Sequence, residues 1–523
     1  MATLARNAPS LLEALAAVVG ADQLLTDETE RRFHGSDVFN AREVPVAVAR
    51  PGTVAELQAV VRACAAAGAP ITVRGGGASY TDGYLHSRPG GVTIDTSRLK
   101  AIHINAHDAV VTVEAGVTWA ELYEALKAQG LRTPFWGPFS GLAATIGGSM
   151  SQNSISHGSG VSAESLLNID VITGTGEMLS TGSAGSHNGA AFFRQFGPDL
   201  AGLFTGDCGA LGVKARITLK LARRREAFDA ASFSFASFAA MHEAMRLIAI
   251  EGVDDENFGL DAALQQGQIG RNDSVGAKAE IAMSVMKTAS SLGSGMKSLA
   301  RMAVAGDRAL KAASYAVHYI AEGLNDADAR AKIALIRKLA APHGEEIANT
   351  VPTIVRGMPF APLTNLLGPK GERWVPMHTL LPHSVAPAFH RAITAYWADN
   401  AESMATHGIY NGAMFMAVGA SAFVYEPALY WPDARSLYLD RMVPADHLAS
   451  VPAYPASAAA RAEVERLKAG VIALMHDHGG AHLQIGKVYP LLDGRNPAAV
   501  ALLRGIKAAL DPAGILNPGA LGL

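Results

Sequence analysis

The sequence predicts a mixed α+β protein of more than one domain, and three observations carry that reading. The chain has 523 residues, well past the roughly 250–300 at which a single core stops growing. Helix-spaced apolar runs alternate with short strand-like runs along its length. Glycine, at 53 residues, exceeds its usual share of about 7%, and it falls in clusters. An apolar content of 49% against 17% charged supplies core material and argues against disorder. A formal net charge of −3 is not that of a wholesale nucleic-acid binder. The length suits two large domains, or one split domain with an insertion.

Read in order, Leu11-Leu12, Leu15 and Val18-Val19 give a first amphipathic helix rather than a secretory signal. No run reaches the roughly 20 apolar residues that span a bilayer. Two cysteines, Cys64 and Cys208, exclude a disulfide framework and a Cys-rich metal site. Cytoplasmic location is the expectation. Thr53 and Glu56 have capping-box spacing ahead of a helix over Val54–Ala67, which Gly68 ends. Pro70 to Val73 reads as a buried strand, and Arg74-Gly75-Gly76-Gly77-Ala78-Ser79-Tyr80 follows. Consecutive glycines after a strand present bare backbone N–H groups, which suit a pyrophosphate; an ordinary flexible loop is the alternative. The loop is neither a P-loop nor GxGxxG. Strands are expected near Gly91–Asp95 and Ala109–Gly116, then a helix from Val117 to Gly130. A second glycine cluster spans Gly141, Thr145-Ile146-Gly147-Gly148-Ser149, Asn153 and His157-Gly158. A third spans Gly206 to Val213, before a strand over Ala215–Leu221. Three such loops point to one extended ligand.

Together these motifs resemble the flavin-binding domain of the vanillyl-alcohol oxidase / p-cresol methylhydroxylase (PCMH-type) family. The resemblance covers Pro51 to Leu221 and includes Arg-Gly-Gly-Gly-x-Ser, Val-x-x-Gly-Val-Thr-Trp, Thr-Ile-Gly-Gly, Asp170-Val171-Ile172-Thr173-Gly174 and Gly-x-x-Gly-x-Leu-Gly-Val. Ile506 to Gly519 looks like the family's ending. The resemblance implies FAD held between two α+β subdomains, under an α+β cap that carries an antiparallel sheet. Arg74 and the Gly75, Gly76, Gly77, Ala78, Ser79 loop would hold the pyrophosphate. Pro138, Thr145, Gly148, Ser149 and Asn153 would run along the ribityl chain and flavin. Val213 would serve the adenine end, and Asn517 would lie close by. Many members link FAD covalently through a histidine that here is Ala78, and Gly141 to Asn153 lacks the cysteine of doubly linked relatives. Non-covalent FAD is therefore expected; a link through a cap His or Tyr stays open.

The expected boundaries are 1–225 for the FAD domain (core 43–222), 226–475 for the cap with a helical insertion at 270–325, and 476–523 returning to the FAD domain. A strand and then a helix are expected over Phe228–Ile250. Between Arg271 and Lys311 seven basic residues face three acidic ones. This is either a solvated helical insertion or a basic surface for peripheral membrane contact. His476, His478 and His482 invite a metal reading, but no partner at a telling spacing joins them, and no metal is expected. The Tyr-Arg pair that holds a phenolate in phenol-oxidising relatives is replaced by Gly480-Ala481 before His482.

A flavin takes a hydride at N5, and a residue must take the hydroxyl proton of the donor. His482 and His378 are the candidate bases, with Tyr425, Tyr430 and Arg356 as anchors; an arginine would favour a carboxylate substrate. The expected function is FAD-dependent oxidation of a CH–OH carbon in a small alcohol or hydroxy acid, with oxygen or an electron carrier as acceptor. The alternatives are benzylic oxidation of a para-substituted phenol and a non-catalytic flavin-bearing subunit. A homodimer is the family prior.

Overall fold

The computed structural model describes residues 10–155, 160–265 and 313–523; the basic stretch 271–311 lies outside them. The first lobe opens with β1 (Leu24–Leu25), β2 (Ala47–Ala49), β3 (Ile71–Arg74) and β4 (Val92–Asp95), in sheet order β1-β2-β4-β3. β4 runs parallel to both β2 and β3. The crossover from β2 to β3 is the helix Val54–Ala67, as the spacing predicts. Thr53 Oγ1 accepts from Glu56 N, while the Glu56 carboxylate reaches past the cap to Gly52 N at 2.7 Å. Gly68 ends the helix in the left-handed region at φ 62°, where a side chain would be strained. The buried helix face of Leu57, Val60, Val61 and Cys64 packs on Ile71, Val92 and Ile94.

Next come β5 (Ile102–Asn105), β6 (Val110–Glu114), β7 (Leu131–Arg132), β8 (Leu166–Ile172), β9 (Met178–Ser180), β10 (Val213–Lys220) and β11 (Ala222–Arg223). Five of them form an antiparallel sheet, β5-β6-β10-β8-β9, while β7 pairs with β11. The two sheets are the two α+β subdomains. Residues from further along the chain rejoin them: Ile71 N donates to Ile515 O, and Asn517 N donates to Ile71 O. That pairing holds β3 from its far edge.

The second lobe is an antiparallel sheet of β12 (Phe228–Phe235), β13 (Glu256–Asp261), β14 (Tyr315–Glu322), β15 (Glu345–Ile347), β16 (Arg373–Pro376), β17 (Thr379–Pro382), β18 (Tyr410–Val418) and β19 (Ala422–Trp431). Its order is β15-β12-β14-β13-β18-β19-β16, with β17 also on β19. The helices Phe238–Glu251, Asp326–Ala340, Ala386–Asp399 and Ala458–Asp477 bury one face of it around Phe233, Phe415, Phe423 and Trp431. The opposite face, with Met414, Met416 and Val424, meets Ile155 of the first lobe.

One expectation fails here. The helical insertion at 270–325 is not helical in its last part: Tyr315–Glu322 is β14, central in the cap sheet. All but the first of its residues are buried, so both faces are covered and the exposed-buried alternation that marks a half-buried strand is absent.

Candidate active site

β3 delivers Arg74 and then the Gly75–Tyr80 loop. Among the described residues, no backbone N–H from Gly75 through Tyr80 donates a hydrogen bond within the protein. Such a run of bare donors is a cradle for an anionic group. A methyl added to Gly75 would strike the Thr145 side chain, and one on Gly76 would strike the Ala143 carbonyl. The glycines therefore also let two loops close on each other. Gly77 takes φ +72°, directly over the Arg74 guanidinium. Arg74 is buried between Phe33 (4.5 Å) and Tyr84 (5.8 Å), and its Nε and Nη2 have no hydrogen-bond partner. The Ala78 side chain is half-buried in the same loop, and Ser79 Oγ lies 3.2 Å from Thr81 Oγ1.

The second loop is held by short-range bonds. Pro138 O accepts from Gly141 N at 2.9 Å. Thr145 caps the helix Ile146–Gln152 by accepting from Gly148 N at 3.1 Å. Ser149 Oγ accepts from Trp119 Nε1 at 2.7 Å. Asn153 ends the helix at φ 49°, and its Oδ1 accepts from Ala163 N. In the third loop Gly206, Cys208 and Gly209 all have positive φ. Val213 opens β10 with its side chain in the core beside Ile172 and Leu516. Asn517 spends its side chain on the protein: Nδ2 donates to Gly83 O and Cys208 O, and Oδ1 accepts from Lys487 Nζ at 2.6 Å. It knots the first and third loops together. Bare loop donors beside unpaired guanidinium atoms fit the phosphates of a dinucleotide cofactor.

Residues 481–489 join all three loops to the cap. Leu380 of β17 and Ala481 exchange backbone hydrogen bonds; Gln484 N donates to Gln152 O, Lys487 N to Thr81 O, and Gly486 N to Cys208 Sγ. Burial holds the Lys487 ammonium down to about 8. The junction presents both candidate bases. His482 Nδ1 contacts His378 O at 2.8 Å. A carbonyl only accepts, so Nδ1 carries the proton and Nε2 keeps its lone pair. Nε2 is buried and unpaired, and the ring stacks on Tyr489 at 4.1 Å. Burial lowers the His482 pKa, opposed by the bond to His378 O. His378 Nε2 donates to Leu483 O at 2.7 Å, which leaves Nδ1 with the unpaired lone pair. Burial brings His378 down to about 4. Both rings are therefore neutral near pH 7.

β19 alternates, and its parity sorts the other candidates. Tyr425 points to the helix side, packs on Phe389 and Phe238, and meets His390 Nδ1 through its hydroxyl at 3.0 Å. It is not an anchor at this site. Tyr430 is on the face toward the first lobe, stacked with Trp374 and Tyr410. Arg356 is also committed elsewhere. It lies over Trp136 and Phe228, and its Nη1 is 2.7 Å from Glu322 Oε1, both side chains almost fully buried. Glu322 is shared with Arg132 at 2.7 Å. A guanidinium held so tightly is not available to a substrate carboxylate.

The sequence reading passed over Glu426, Trp374 and Tyr80. Glu426 shares the parity of Tyr430 and pairs with Met414 across the sheet. Burial raises its carboxyl to about 7. Tyr80 packs near Trp374 and His378, accepts from Gln484 Nε2, and feels Glu426 electrostatically. The two-residue spacing from Tyr430 to Ala428 to Glu426 was the available signal. Among the described residues, no three His, Cys, Asp or Glu side chains converge as a metal site. His478 is turned to Leu474 O and Phe389 instead. No described helix is long and apolar enough to cross a membrane.

Residues 45–182 match the FAD binding domain family, and residues 446–521 match the C-terminal domain of FAD linked oxidases. Residues 45–182 form an FAD-binding domain. Its relatives include D-lactate dehydrogenase [cytochrome], mitochondrial, of Arabidopsis thaliana, 32% identical over 209 residues, covering 38% of this chain and 35% of the relative. D-2-hydroxyglutarate dehydrogenase of Xanthomonas citri pv. viticola is 32% identical over 215 residues, covering 40% and 43%. The matches thus span less than half of each of these relatives. Among solved structures, p-cresol methylhydroxylase superposes with a TM-score of 0.71 at 16% identity, covering 98% of this chain and 96% of the other. A 4-ethylphenol oxidase from Gulosibacter chungangensis gives 0.70 at 16% identity, with the same coverage. These likenesses show the PCMH-type fold, and FAD is the cofactor of the matched domain.

Proposed function

We propose that this protein is an FAD-dependent oxidoreductase that oxidises a CH–OH carbon of a small organic molecule. The observation that carries it is His482, whose Nδ1–H is engaged by His378 O while Nε2 stays unpaired. FAD, when bound, supplies the hydride acceptor. The Gly75–Tyr80 amides and Arg74 would hold its phosphates. His482 Nε2 would take the hydroxyl proton as the C–H bond breaks, a role worth about 10²–10⁴-fold in rate. The backbone bond at Nδ1 fixes the ring orientation and the tautomer, so the lone pair needs no rearrangement before reaction. The lowered pKa of His482 keeps it a base at neutral pH. The names of the relatives, lactate and hydroxyglutarate dehydrogenases, support CH–OH chemistry. Ala78 offers no linking atom in the first loop, which supports non-covalent FAD. Oxygen or an electron carrier would then take the electrons.

The test is anaerobic flavin bleaching by alcohols and hydroxy acids, followed for wild type and His482→Gln. The variant should retain FAD and bleach at least about 100-fold more slowly. Equal rates would remove His482 from the proton step, and a wild type bleached by no CH–OH compound would overturn the reading.

A further inference from the structure

The unpaired polar atoms of the cap wall have a sign. Three buried, unpaired atoms are described around the junction, the lone pairs of His482 Nε2 and His378 Nδ1 and the indole N–H of Trp374, and the half-buried Glu426 carboxyl is a fourth polar group there without a described partner. Three of the four accept. Other buried carboxylates of the cap have partners: Glu322 has Arg132 and Arg356, Asp433 has Arg461 and Arg373, and Asp261 accepts from Leu264 N and Ala413 N. Glu426 has no described hydrogen bond or ion pair, and burial alone sets its protonation.

The nearby cations are engaged elsewhere. Arg356 and Arg132 are spent on Glu322, Arg373 on Asp433 and the Val38 and Phe39 carbonyls, and Lys487 on Leu85 O and Asn517. On the same face of the cap sheet as Glu426, Trp374 and Tyr430 stack with 6.3 Å between centroids, and Tyr80 tilts against Trp374 at 6.5 Å. A buried carboxyl without a partner is costly to ionise, and a ligand that brings a donor removes that cost. A ligand carboxylate would bring like charge instead.

We propose that Glu426 is the specificity-determining residue of this site, and that the preferred ligand is an aromatic alcohol offering it a hydrogen-bond donor, most strongly a protonated amine. A hydroxy-acid anion is disfavoured. The aromatic faces take the ring, and they favour a cation near it. This inference rests on the CH–OH reading above for the word alcohol; the recognition by Glu426 is tested without turnover.

Equilibrium dialysis of the FAD-loaded protein at pH 8 would compare benzylammonium, benzamide and benzoate, which share one ring and differ in charge. Benzylammonium should bind tightest and benzoate weakest, at least about tenfold apart, because like charges across a buried site are strongly unfavourable. Glu426→Gln should bring the three within about threefold of one another at unchanged flavin content. Glu426→Asp, which keeps the charge, should keep the order with weaker binding and stands in if the glutamine variant loses FAD. Benzoate binding as tightly as benzylammonium to the wild type would overturn the proposal. So would an order that survives Glu426→Gln. Bleaching by hydroxy acids but not by aromatic alcohols would uphold the CH–OH reading and overturn this one.

Discussion

Arg356 separates a sequence-based expectation from a structural one, and its replacement by methionine tests both. As a substrate anchor, its loss would raise KM for carboxylate substrates and leave stability alone. The structure assigns it a different task. Arg356 and Arg132 each approach Glu322 to 2.7 Å, and Arg132 also lies 3.7 Å from Asp255. Two cations balance two carboxylates in a cluster where Glu322 and Arg356 expose only 3% and 4% of their side chains. Removing Arg356 leaves an excess negative charge at a buried site. Two unit charges 4 Å apart interact by about 4 kcal/mol at an effective dielectric of about 20. Breaking a buried pair from one side typically costs about 3–5 kcal/mol. At about 2–4 °C per kcal/mol for a domain of this size, Arg356→Met should lower the cap's thermal midpoint by roughly 10 °C. The double variant Arg356→Met/Glu322→Gln should recover much of that loss, because it restores the charge balance. Thermal unfolding by circular dichroism, with anaerobic bleaching of the surviving protein, reads both effects. A variant as stable as wild type but with raised KM would refute the buried-cluster argument and restore the anchor.

Other outcomes follow from the same geometry. A methyl on Gly147 would sit 2.6 Å from Ala115 Cβ and 2.8 Å from its carbonyl oxygen. Gly147→Ala should therefore displace the second loop and lower the FAD content of purified protein, read from absorbance per chain. Acid precipitation of wild type should release the yellow colour into the supernatant; colour kept in the pellet would contradict non-covalent attachment. His318 is fully buried against Ser232 Oγ, and burial holds it at about 3 against 6.5 for a free ring. The unfolded ring binds a proton below 6.5 while the folded ring does not, so this contribution is intact above pH 6.5 and lost as pH falls toward 3. Between pH 7 and 5 it amounts to about 2 kcal/mol. Denaturant titrations at the two pH values should show His318→Phe narrowing the stability gap by that amount.

The FAD lobe was legible because its loops are local. The cap at Thr53, the end at Gly68 and the three glycine clusters depend on φ, on close approach and on bare amides, all carried by consecutive residues. The order of the cap sheet was not legible, since β14 is buried on both faces and carries no alternation. Little of the cap site was legible: His482 sits at the junction and Tyr430 on the sheet face toward the first lobe, but Tyr425 and Glu426 are neighbours that the pleat sends to opposite faces, and only the register with β18 decides which is which. Arg356 was misjudged because its partners, Glu322, Trp136 and Phe228, lie far from it in sequence. Glu426 was missed because its character comes from burial rather than from any motif.

The pairing of Ile71 with Ile515 and Asn517 has a consequence for biosynthesis. β3 and its glycine loop leave the ribosome more than 400 residues before the strand and the amide that brace them. Until Asn517 has emerged, Gly83 O and Cys208 O lack the donor that ties their loops together. A nascent chain stalled before Asn517 should therefore hold FAD poorly and be colourless, and colour should develop only once that residue has joined the loops.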